Sequence, residues 1–101
     1  MRIDCPYDEF PDAHVIVPDA WKGVHAQRHD EAVTKARAAK LPQTWQDFSV
    51  SMALLDDWNL PGVNGNPEKW DLGEMDLRIM AWVSAVTMPG YYACFRLPKN
   101  S

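Results

Sequence analysis

The chain is short of the residues that cross-link, punctuate or span. Its only cysteines, Cys5 and Cys94, lie near opposite ends of 101 residues. That is too few for a disulfide scaffold or a cysteine-based zinc site. Spacing leaves a bridge between the two open. Met1-Arg2-Ile3-Asp4 leads into charged residues and not into the apolar run of a secretory leader, so two free thiols in a reducing, cytoplasmic setting are expected. Long hydrophobic runs are missing too. The longest, Ile79 to Val86, is interrupted by Ser84 and falls far below the roughly 20 residues a membrane-spanning helix needs. Cations are outnumbered, 10 Lys and Arg against 14 Asp and Glu, for a net charge of -4. Such a balance argues against nucleic acid as the default partner, because phosphate binding draws on clustered positive charge. Catalytic signatures are equally absent. There is no H-E-x-x-H, no G-x-G-x-x-G, no Walker lysine, and no serine or cysteine spaced from a histidine in a family-specific way.

What is present is apolar and aromatic. Apolar residues make up 47%, too many for a disordered chain, and five are Trp. A buried indole removes on the order of 150–250 Å² from water, so even this short chain has the material for a core. One domain over 1–101 is expected, mainly α: a small helical domain with a short N-terminal β segment.

Residues 1–13, with two prolines, read as an irregular arm. His14-Val15-Ile16-Val17 is a β-branched run stopped by Pro18 and reads as a strand over 14–17. A lone strand is marginal in water, so it needs a partner, from the Arg2-Ile3-Asp4 arm or from another subunit. A first helix is predicted over 27–40 from its alanines, with Asp30 and Glu31 near its start and Lys35, Arg37 and Lys40 near its end to suit the dipole. Its apolar face (Ala32, Val33, Ala36) is thin. A second helix is predicted over 44–58. Thr44-x-x-Asp47 resembles a capping box, Trp45, Phe48, Met52 and Leu55 form one face, and Trp58 extends the Leu54 row. Asn59 to Pro67 must be a loop, with left-handed positions at Gly or Asn. A third helix is predicted over 73–88 from the stripe Met75, Ile79, Trp82, Val83 and Val86, with Pro89-Gly90 kinking or breaking it and a polar tail over 98–101. The core set is therefore Phe48, Met52, Leu55, Ile79, Trp82, Val83 and Val86.

Three groups are candidates for chemistry. His25 and His29 stand at i, i+4 but lack a third ligand at telling spacing, so solvated side chains are expected and no metal. Asp56-Asp57 and Glu74 with Asp76 are carboxylate pairs whose place at helix ends suits capping and dipole roles better than acid–base work. Lys35, Arg37 and Lys40 beside Trp45 read as a solvated basic helix end rather than a nucleic-acid patch. No catalytic residue and no cofactor is expected. Trp45, Trp58 and Trp70 are the candidate partner-binding side chains, since exposed indoles anchor interfaces, although core packing explains the same residues.

One segment carries a resemblance. Asp57-Trp58-Asn59-Leu60, Gly62, Gly65-Asn66-Pro67-Glu68 and Trp70-Asp71, followed by the amphipathic helix around Trp82, resembles the C-terminal half of tail assembly chaperones of long-tailed bacteriophages. Val17-Pro18-x-x-Trp21 is similar to their N-terminal β segment. The match covers about half the chain, and the basic helix end and Pro89-Gly90 have no counterpart in it. The resemblance implies a mostly helical, non-enzymatic viral protein of the host cytoplasm that binds the tape measure protein and can form a homo-oligomer. It also implies a longer form made by frameshifting, for which the codons of Pro98-Lys99-Asn100 would supply the slippery run. The alternatives are another phage or bacterial structural or adaptor protein, then a small enzyme or a nucleic-acid binder.

Overall fold

Val15 organises the N-terminal third. β-branched itself and followed by β-branched Ile16 and Val17, it adopts extended backbone, and its side chain is completely buried. In the computed structural model, which describes residues 1–96, β2 (His14–Ile16) is the middle strand of an antiparallel sheet. β1 (Arg2–Asp4) lies on one side and β3 (Asp57–Asn59) on the other. Ile3 stands opposite Val15, and Val15 opposite Trp58, so one apolar row crosses the sheet on its core side. Two expectations are corrected here. Residues 1–13 are not wholly irregular, because 2–4 pair with β2. The second helix does not reach residue 58, because Leu55 turns into extended backbone (φ -75°, ψ 145°) and feeds β3. A three-residue strand is too short for alternation to register, and β3 draws its pairing from a segment far away in sequence.

The arm between β1 and β2 is held by Arg78. Its guanidinium pairs with Glu9 at 2.8 Å and lies 5.0 Å from the centre of the Tyr7 ring and 5.7 Å from that of Phe10.

α1 (Gly23–Ala38) begins four residues before the expected start. The reason is His25, whose Nδ1 accepts the Lys22 N–H at 2.9 Å and so serves the first turn as a cap. Asp30 and Glu31 consequently fall mid-helix, while Lys35 and Arg37 do occupy the last turn. Lys40 stops the helix in the left-handed region (φ 55°). Its N–H reaches Arg37 O at 3.0 Å, and Leu41 N–H reaches Ala36 O at 3.2 Å, the paired bonds of a Schellman ending.

α2 (Gln43–Leu54) starts before Thr44, so Thr44 is not its cap; Gln43 Nε2 donates instead to Asp47 Oδ1 at 2.8 Å. Packed between α1 and α3, this helix buries more than one stripe: Phe48 and Met52, but also Val50, Ser51 and Leu54, with Leu55 buried just beyond its end. Ser51 Oγ donates to Asp47 O at 2.7 Å, which satisfies the buried hydroxyl.

The loop after β3 is anchored by Leu60 and Val63, both buried, and turns at Gly62 and Gly65 (φ 80° and 85°). Short 3-10 turns, Pro67–Lys69 and Leu72–Glu74, replace the expected first turn of helix three. α3 (Leu77–Ala93) begins where Asp76 Oδ1 accepts the Arg78 N–H at 2.9 Å. Ile79, Trp82 and Val83 are buried and Val86 is half-buried; Met80, Thr87 and Tyr91 join the buried face. Pro89 does not break the helix, which runs through it to Ala93. Ala85 and Pro89 are both exposed, so the carbonyl that Pro89 leaves unpaired reaches water. The expected tail lies outside the described residues. Among the described residues no helix is long and apolar enough to cross a membrane.

Candidate docking groove

Alanine shapes a concavity between α1, α2 and the loop after β3. α1 turns Ala32, Ala36 and Ala39 toward α2 and the loop, and these side chains are too short to fill the space opposite. The result is an open, mostly apolar groove of about 400 Å³. Ala36 and Met52 form its buried floor, and Trp58, Trp70, Pro67 and Leu72 its far wall. Lys35 and Glu68, opposite in sign and both exposed, stand at its rim.

The far wall is held by side-chain contacts. Trp58 and Trp70 meet edge to face, with ring centres 5.8 Å apart and planes at 84°. Trp58 Nε1 donates to Val63 O at 2.8 Å, which ties the indole to the buried loop. Trp70 is different. Its Nε1 is buried and meets no acceptor among the described residues. An unpaired buried donor costs about 1–3 kcal/mol.

Of the three tryptophans singled out from sequence, Trp58 and Trp70 come together in this wall. Trp45 does not line the groove. It is half-buried against the approach to α3, where its ring lies 3.8 Å from the position of a Cβ on Gly73. The groove floor escaped the sequence reading. Its signal lies in Ala32, Ala36 and Ala39 at i, i+4 and i+7, of which the thin apolar face read from sequence takes in only Ala32 and Ala36.

The other candidates have structural surroundings. His25 is buried, with its ring edge-on to Trp21 at 5.2 Å. His29 stacks on Tyr91 at 4.8 Å and lies 2.9 Å from Asp30 Oδ1. These histidines are packed, not solvated as expected, because Tyr91 and Trp21 join the start of α1 to the end of α3. Burial, and next the Asp30 charge, raise the Tyr91 hydroxyl above its ordinary pKa. No three His, Cys, Asp or Glu side chains gather as a metal site among the described residues. Asp56 and Asp57 are exposed, and Asp57 Oδ1 accepts the Trp58 N–H at 2.8 Å. Asp76 caps α3, and its carboxyl is held below the usual range by hydrogen bonds from the Arg78 side chain and backbone. Lys35, Arg37 and Lys40 are exposed, and Cys5 and Cys94 are free thiols. No protein-family model, no curated protein and no solved structure matches this chain.

Proposed function

We propose that this protein is a non-enzymatic assembly factor that holds a segment of a partner protein in the α1–α2 groove. In the most specific form of the reading it is a phage tail assembly chaperone, and the partner is the tape measure protein. The observation that carries the proposal is the groove itself: apolar, about 400 Å³, and walled by Trp58 and Trp70. The residues behind the family resemblance line that groove, Trp58, Pro67 and Trp70 in its wall and Glu68 at its rim.

Co-expression with the tape measure protein, followed by pull-down, tests the reading. Association is expected, and Ala39→Arg, which places a long cation in the groove from the exposed residue that follows α1, should abolish it while leaving the fold intact. No association of the unaltered chain would reject the tape measure partner. Full binding by the Ala39→Arg variant would reject the groove as its site.

A further inference from the structure

The two outer edges of the sheet are unlike. On β3, Asp57 folds its carboxylate onto the Trp58 N–H, at 2.8 Å. Val15 and Trp58 are opposed at the centre of the β2–β3 pairing, and the N–H that Asp57 takes is the one a further strand would need. That edge is closed by its own side chain.

β1 has no such closure. Val17 N–H donates to Met1 O at 2.9 Å, and Met1 N donates to Val17 O at 2.6 Å. Cys5 N–H donates to Ala13 O at 2.9 Å. Antiparallel ladders alternate between bonded and non-bonded pairs, so with Met1 and Cys5 turned toward β2, Ile3 is turned inward as well. The backbone N–H and C=O of Arg2 and Asp4 therefore face outward, and none of these groups meets a partner among the described residues. The side chains of Arg2 and Asp4 lie on one face, exposed, with Nε and Oδ1 2.8 Å apart.

This edge is complementary to itself. We infer that β1 pairs antiparallel with β1 of a second copy, about a two-fold axis through Ile3. In that register Arg2 stands opposite Asp4 of the second copy, and Asp4 opposite its Arg2. The four outward groups on each chain meet four of the opposite kind, and the charges alternate in a square. Parallel pairing would set Arg2 against Arg2 and Asp4 against Asp4, so the charges also select the orientation. The apolar row continues across the axis, from Trp58, Val15 and Ile3 to Ile3 of the second copy. Met1, 63% exposed at the border of the same face, gains apolar cover opposite Cys5 of that copy. Three paired residues bury far less than the roughly 1,000 Å² of a permanent interface, so the dimer is weak and concentration-dependent. Neither Arg2 nor Asp4 lines the groove, so this inference stands or falls separately from the proposed function.

Sedimentation velocity from about 10 μM to about 1 mM tests it with four samples. The unaltered chain should show a monomer–dimer equilibrium. Arg2→Asp and Asp4→Arg, each made alone, should weaken self-association at least tenfold, because like charges then face each other across the axis. An equimolar mixture of the two variants should dimerise as the unaltered chain does, because each Asp again meets an Arg. Hydrogen exchange supplies a second readout: the Arg2 and Asp4 amides should become protected as concentration rises, while the Trp58 amide does not change. A chain that stays monomeric throughout overturns the inference. So do single variants that dimerise normally, or a mixture that fails to recover. Protection of the Arg2 and Asp4 amides that appears only with a different protein present, the chain itself remaining monomeric, assigns the edge to that protein's strand and overturns it too.

Discussion

Trp21 occupies the space that a side chain on Gly90 would need: a Cβ there would stand 3.3 Å from Trp21 Nε1 and 3.5 Å from its Cζ2. The indole is held in place by His25 and Tyr91, both edge-on to it at 5.2 and 5.7 Å. A glycine inside α3 gives up about 1 kcal/mol of helix stability relative to alanine, and here the loss makes room for the joint between α1 and α3. Gly90→Leu should therefore displace Trp21. The expected cost is about 1–3 kcal/mol by denaturant unfolding, with a red-shifted tryptophan emission. Unchanged stability and emission would show that Trp21 does not depend on the missing side chain.

Lys40 closes α1 in a left-handed conformation (φ 55°) that disfavours any residue with a Cβ. Lys40→Gly keeps both Schellman bonds and removes that strain. It should stabilise the protein by about 1 kcal/mol, read as a higher denaturation midpoint at unchanged slope. A lower midpoint would mean that the lysine side chain contributes more than its backbone costs.

Thr87 sits at full burial in α3, with its Oγ1 meeting no partner among the described residues. Thr87→Val keeps the shape and discards the unpaired hydroxyl, and should raise stability by about 1 kcal/mol. Thermal unfolding checks it: a lower Tm for the valine variant would mean that the hydroxyl is hydrogen-bonded in solution.

Asp76 gives α3 an acid-sensitive start. Its carboxyl titrates below the ordinary range, chiefly because of the Arg78 side chain and then the Arg78 N–H. A depressed folded-state pKa means stability that is present above the unfolded value, about 3.9, and is lost as pH falls through the folded one. Asp76→Asn removes this ionisation. The variant should melt lower than the unaltered chain near neutral pH, and the gap should narrow as pH drops below about 4. A gap independent of pH would exclude the linkage.

The helices were legible because their signals are local. The recurrence of Ile79, Trp82 and Val83 marks α3 without knowledge of any neighbour, and the Phe48 and Met52 spacing does the same for α2. The failures share a cause: each depended on a contact made across the chain. β3 exists because Val15 lies beside Trp58. The early start of α1 depends on His25 turning back onto Lys22, a role that propensity scales do not give to histidine. Pro89 survives within α3 because the Ala85 carbonyl it leaves unpaired faces water and Tyr91 is anchored beyond it. At the groove, Trp58 and Trp70 stood out by residue type alone. The alanines that leave room between them and α1 could be seen to do so only once the wall opposite was in place.

Placing β2 at the centre of the sheet has a kinetic consequence. Val15 and Trp58 are paired across a stretch of chain that contains all of α1 and α2. Closing so long a loop carries an entropic cost that is met only after the intervening helices have condensed. The chain therefore has helices before it has its tryptophan wall, and helical circular dichroism should rise ahead of the fluorescence change that marks burial of Trp58. Until that last pairing, a nascent molecule exposes apolar surface without a shaped site, and association at that stage is governed by aggregation rather than recognition.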